Sequence, residues 1–93
     1  MTDVPQAIRE RLRALEPQSI ELVDESALHA GHAGARSGGG HFRLTIVSPR
    51  FRGLGTLARH RLIYEALAPM MKREIHALSI RALVPEEAGA AHA

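Results

Sequence analysis

The sequence predicts an α+β fold. It reads as one small domain with element order α-β-β-α-α-β and a three-stranded sheet with helices on one face. Three observations carry this. Apolar residues recur at helix spacing in two segments, Val4 to Leu15 and Ala58 to Met70. They alternate at strand spacing in three others, Ile20 to Val23, Phe42 to Val47 and Ile75 to Val84. The last strand follows a helical crossover, so it joins a hairpin sheet whose helices share one side.

The first helix places Val4, Ile8, Leu12 and Leu15 on one face, with Arg9, Glu10, Arg11 and Arg13 on others. Thr2 or Asp3 can cap it, Pro5 suits its first turn, and Pro17 forbids its continuation. In the strand from Ser19 to Glu25, Ile20 and Leu22 share one face while Glu21 and Val23 share the other. Ala27 to Gly40 has no periodicity and holds five of the eight glycines. A connection this long in a small domain is functional or mobile. His41 to Ser48 is the clearest strand, ended by Pro49. Phe51-Arg52-Gly53-Leu54-Gly55 is a turn-rich connector, and Thr56 is the expected N-cap of a helix over Leu57 to Leu67.

That helix carries an apolar stripe of Ala58, Leu62, Ile63, Ala66, Leu67 and Met70, with Arg59 and Tyr64 on its surface. Pro69 breaks this helix or starts a short second one, running to Arg73. In the last strand, period two places His76 with Leu78, Ile80 and Ala82, and Ile75 with Ala77, Ser79 and Arg81. His76 also reads as sitting at the first position of the strand, where a side chain can reach the surface. The domain spans residues 1–87, and residues 88–93 form a disordered tail.

The chain has 93 residues, six histidines, no cysteine and three aromatics. Its core must be aliphatic, and it can form no disulfide. No apolar run approaches the roughly 20 residues of a membrane span. The N-terminus lacks the basic and apolar regions of a secretory signal, so a cytoplasmic protein is expected. The net charge is +2, unevenly spread. Residues 1–25 carry six acids against three arginines, whereas residues 50–73 carry six basic residues against Glu65 alone. Arg59, Arg61, Lys72 and Arg73 can meet nucleic-acid phosphates, or simply form a solvated basic face.

No enzyme constellation emerges. Ser26 and Ser48 lack a nucleophile-elbow pattern, Asp24 and Glu25 alternate across a strand, and Gly38-Gly39-Gly40 precedes a strand instead of a helix. The histidines are the richer signal, because imidazole binds borderline transition metals. His29, His32, His41 and His76 can in principle converge, but their spacing does not decide it. His41 and His60 read as structural.

Several spaced motifs resemble the BolA family. They are Asp24-Glu25-Ser26 followed by His29, His41-Phe42, Ile46-Val47-Ser48, Phe51-Arg52-Gly53, Arg59-His60-Arg61-Leu62-Ile63-Tyr64 with Leu67, and Ile75-His76-Ala77-Leu78. They span about residues 4 to 87. The resemblance implies a KH-like arrangement and partnership with a monothiol glutaredoxin. In such pairs a [2Fe–2S] cluster is held by the glutaredoxin cysteine, a glutathione thiol and nitrogen ligands of the BolA-like partner. Here the resemblance implies His76 and, from the variable loop, His29, with His32 as the possible substitute. Two imidazoles and two sulfurs make a mixed site of the Rieske type, which raises the cluster potential. Ligand imidazoles must be neutral, so occupancy is expected to weaken in acid. Alone, the chain is expected as a monomer or weak homodimer. Bacterial members of the family are also described as DNA-binding regulators of stress response and cell morphology.

Overall fold

The computed structural model describes residues 3–25 and 40–91. Helix α1 (Val4–Leu12) begins where the Asp3 carboxylate accepts the Gln6 N–H at 3.3 Å, so Asp3 is the cap. One 3₁₀ turn, Arg13–Leu15, closes it, and Glu16 follows in the left-handed region at φ 49°. Strand β1 (Ser19–Asp24) pairs antiparallel with β2 (Gly40–Val47), from Ser19 opposite Val47 to Asp24 opposite Phe42. After a 3₁₀ turn at Pro49–Phe51, helix α2 (Thr56–Leu67) crosses over the sheet. Strand β3 (Ile75–Leu83) then lies parallel to β2, and helix α3 (Pro85–Ala91) ends the fold. The sheet order is β1-β2-β3. Among the described residues, no helix is long and apolar enough to cross a membrane.

One layer of aliphatic side chains joins helices to sheet. Ile8 and Leu12 of α1 and Ile63 and Leu67 of α2 meet Phe42, Leu44 and Ile46 of β2. Ile20, Leu22, Leu78, Ile80 and Ala82 widen this core at the flanking strands. The alternation read from β1 and β2 is therefore the alternation of burial. Ser48 pins three segments together. Its buried hydroxyl donates to the Leu15 carbonyl at 2.5 Å and accepts the Arg50 N–H at 3.0 Å, while its N–H donates to the Leu83 carbonyl at 2.9 Å. A hydroxyl so committed is a joint in the fold, not a nucleophile.

The Phe51-Arg52-Gly53 turn has a local cause. Phe51 is fully buried, and Gly53 sits at φ 77°, which favours glycine. A Cβ there would meet nothing within 4 Å, so the constraint is the backbone alone. The Leu54 N–H closes the turn on the Phe51 carbonyl at 3.1 Å.

Three expectations are corrected. The N-cap of α2 is Gly55, whose carbonyl accepts the Arg59 N–H at 3.0 Å; Thr56 is already helical. The short element after Pro69 is a single 3₁₀ turn, Met70–Lys72, closed where the Arg73 N–H donates to the Met70 carbonyl at 3.2 Å, and it stops short of Arg73. The tail expected from residue 88 is helical through Ala91, because acidic side chains in the first turn of α3 are held from outside it. Ala88 of α3 also lines a depression with Thr45, Val47, Arg81 and Leu83, on the sheet face opposite the core. Helices α1 and α2 share one face, as expected, and α3 reaches the rim of the other. Of the expected functional or mobile connection, Gly40 already belongs to β2, and the rest, with His29 and His32, lies outside the described residues, as do residues 1–2 and 92–93.

Candidate metal-ligating site

The site begins with a break in strand register. Gly40 pairs with Ile75, but His41 pairs with Ala77, so His76 is the extra residue on β3. An extra residue reverses the alternation on one side of the bulge. Ile75 and Leu78, three apart, can therefore both face the core, and Ile75 is only 2% exposed. Unbroken period two had grouped Ile75 with Ala77 and His76 with Leu78; the bulge overturns that grouping and leaves His76 exposed. Bulges in parallel pairs are rare and re-aim side chains.

His41 precedes the buried Phe42 and so faces away from the core. Its ring meets that of His76, with centroids 5.1 Å apart and planes tilted by 39°. Two backbone bonds fix this corner. The Gly40 N–H donates to the Glu74 carbonyl at 2.8 Å, and the Glu25 N–H donates to the His41 carbonyl at 2.7 Å. Glu25 and Gly40 are the described residues on either side of the segment that contains His29 and His32. Across the same strands, Arg43 bridges to Glu25 at 2.9 Å. Among the described residues, no group of three or more His, Cys, Asp or Glu gathers to hold a metal. The described donors at this corner are two imidazoles, and the chain holds no thiol. Imidazole suits zinc, copper, nickel and iron.

Of the four histidines that can in principle converge, the described structure brings His41 beside His76, although neither strand's own alternation pairs them. A usable signal existed: two apolar residues three apart, Ile75 and Leu78, at the start of a strand. His60 is half-buried on α2.

The basic segment divides in two. Arg61, Lys72 and Arg73 are exposed. Arg59, expected on the surface and as a phosphate contact, is instead bonded inside the molecule, its side chain 15% exposed. It donates to the Leu54 carbonyl at 2.8 Å, the Ala82 carbonyl at 2.9 Å and the Glu87 carboxylate at 2.7 Å. Glu87 also accepts the Val84 N–H at 2.9 Å. The Arg59 hydrogen bond, then the Val84 N–H, hold the Glu87 carboxyl below the ordinary glutamate range. Arg52 bonds Glu86 in the same way, lowering its pKa and raising that of the guanidinium.

Comparisons with known proteins agree with this architecture. BolA-like protein 1 of Mus musculus is 45% identical over 85 residues, covering 90% of this chain and 60% of that relative. The chain thus spans less than two thirds of that protein. The DNA-binding transcriptional regulator BolA of Escherichia coli (strain K12) is 40% identical over 85 residues, covering 90% of this chain and 78% of the relative. Among solved structures, the BolA domain of SufE1 from Arabidopsis thaliana superposes with a TM-score of 0.78 at 43% identity, covering 94% of this chain and 98% of that one. Residues 12–87 match the BolA-like protein family, from the end of α1 into α3. The chain belongs to the BolA family.

Proposed function

We propose that this chain is a cytoplasmic adaptor that partners a monothiol glutaredoxin and shares a [2Fe–2S] cluster with it, in iron–sulfur trafficking or in iron and redox sensing. The observation that carries this reading is the exposed His76 imidazole, turned out by the bulge opposite the Gly40–His41 step, in a chain without cysteine. The donor set fits such a cluster: iron accepts imidazole nitrogen, and a cysteine and a glutathione thiol from outside supply the sulfur. A bound cluster would add one-electron redox chemistry. The chain's own task is to present imidazole nitrogen at a strand end held by backbone hydrogen bonds. His76 is one ligand, and His29 or its substitute His32 is the second.

Co-expression with a monothiol glutaredoxin tests this. Wild type is expected to yield a coloured heterodimer whose visible absorption and circular dichroism differ from those of the glutaredoxin alone. His76→Ala is expected to lose that signature. His29→Ala and His32→Ala identify the loop ligand by which of them loses it. An unchanged heterodimer spectrum in His76→Ala rules the ligand role out.

A second reading is a DNA-binding regulator. It is supported by the name of the Escherichia coli relative and by the exposed Arg61, Lys72 and Arg73. Affinity for promoter duplexes should then fall steeply with salt. Arg61→Ala or Arg73→Ala should each reduce the logarithmic salt slope by roughly 1. Binding indifferent to salt excludes this reading.

A further inference from the structure

We infer that His41 and His76 by themselves chelate one borderline divalent transition-metal ion, with no partner thiol present. The inference goes beyond the shared cluster, since it needs neither glutaredoxin nor iron. The ring separation suits a common ion. Two imidazoles bound tetrahedrally with metal–nitrogen distances of about 2.0–2.1 Å have ring centres roughly 5 Å apart. The observed separation is 5.1 Å.

The two residues stand on adjacent strands; alternation with Phe42 turns the His41 ring off the core face, and the bulge does the same for His76. Hydrogen bonds from Gly40 to Glu74 and from Glu25 to His41 hold the backbones of this corner. Little ordering is left for the metal to impose, which favours chelation. His76 is exposed and His41 half-buried, so an ion from solvent can reach them. The donors are nitrogen, and no described carboxylate joins them in a group of three. Such a pair selects Zn²⁺, Ni²⁺ or Cu²⁺ over Mg²⁺ and Ca²⁺, which require oxygen. Two coordination positions remain for water, so the ion is exchangeable.

The test is a Zn²⁺ titration of the untagged full chain, followed by calorimetry and by imidazole nitrogen NMR. One ion is expected to bind per chain. The ring signals of His41 and His76 should shift together, with no response to Mg²⁺. His41→Ala and His76→Ala are each expected to weaken binding by roughly tenfold or more. His41→Gln, which keeps a polar side chain of similar reach, serves as the second variant, with circular dichroism to verify folding. His29→Ala and His32→Ala should bind as wild type. If a folded His41 variant binds Zn²⁺ like wild type, or if the His41 ring signal stays still, the pair is a ring contact only and the inference fails. That result combined with loss of the glutaredoxin spectrum in His76→Ala would remove this inference and leave the cluster-sharing reading standing.

Discussion

Replacing Phe51 by alanine is expected to destabilise the domain by about 3–5 kcal/mol. Phe51 is 0% exposed and belongs to the core that joins α1, α2 and β2. Its 3₁₀ turn is closed on both sides. The Phe51 N–H donates to the Ser48 carbonyl at 3.2 Å, and its carbonyl accepts the Leu54 N–H at 3.1 Å. The backbone therefore cannot move inward to fill the space a benzyl group leaves. With two phenylalanines and one tyrosine in the chain, and Tyr64 41% exposed, no other aromatic can swing in. Small domains have about 5–15 kcal/mol of stability to lose. Phe51→Ala should shift the urea midpoint far down with an unchanged slope. Phe51→Leu should restore more than half of the loss. A shift equivalent to less than about 1 kcal/mol would mean that the site collapses freely, against this account of the turn.

Arg59→Ala is expected to cost about 1–3 kcal/mol and to release α3 from the sheet. The guanidinium satisfies two backbone carbonyls, of Leu54 and Ala82, and reaches Glu87 on a third segment. The Glu87 carboxylate in turn accepts the first free N–H at the start of α3. Acid should release the same clasp. The folded-state pKa values of Glu86 and Glu87 lie below the ordinary 4.5. Their contribution is therefore fully present above that value and is lost as pH falls through the depressed folded values. Amide exchange at Val84, Glu87 and Ala88 reads this directly. Protection there should fall before that of β2 as pH is lowered, and should already be low at neutral pH in Arg59→Ala. Unchanged protection in the variant would show that α3 docks without the clasp. The arginine's internal role also sharpens the nucleic-acid test. An effect of Arg59→Ala on DNA binding would report loosening of the fold, whereas Arg61 and Arg73 can report phosphate contact.

Much of this architecture was legible because its causes are local. Ile20 and Leu22 bury beside Phe42, Leu44 and Ile46 as period two requires, and Ile8, Leu12, Ile63 and Leu67 bury as helix spacing requires. Asp3 caps α1, and Gly53 takes the positive φ its turn demands. Family motifs then pointed to His76. Helix α3 was not legible, since Pro85–Ala91 has little apolar face. It is held by Arg52 and Arg59, distant in the chain, which no window over the segment contains. Arg59 itself, among exposed neighbours in sequence, reads as surface until β3 brings the Ala82 carbonyl to it.

The histidines show where the division falls. Composition alone dictates that the chain has imidazoles and no thiol, and the residue pattern puts His76 near the start of the last strand of an α-β-β-α-α-β domain. Which side of the sheet His76 occupies, and that His41 is its neighbour, depends on how β2 and β3 pair. Strand register sets both. Alternation within a strand is a local property, but the extra residue opposite the Gly40–His41 step exists only once β2 and β3 pair across a helical crossover. That single bulge buries Ile75, exposes His76 and brings together two imidazoles that stand 35 positions apart in the chain.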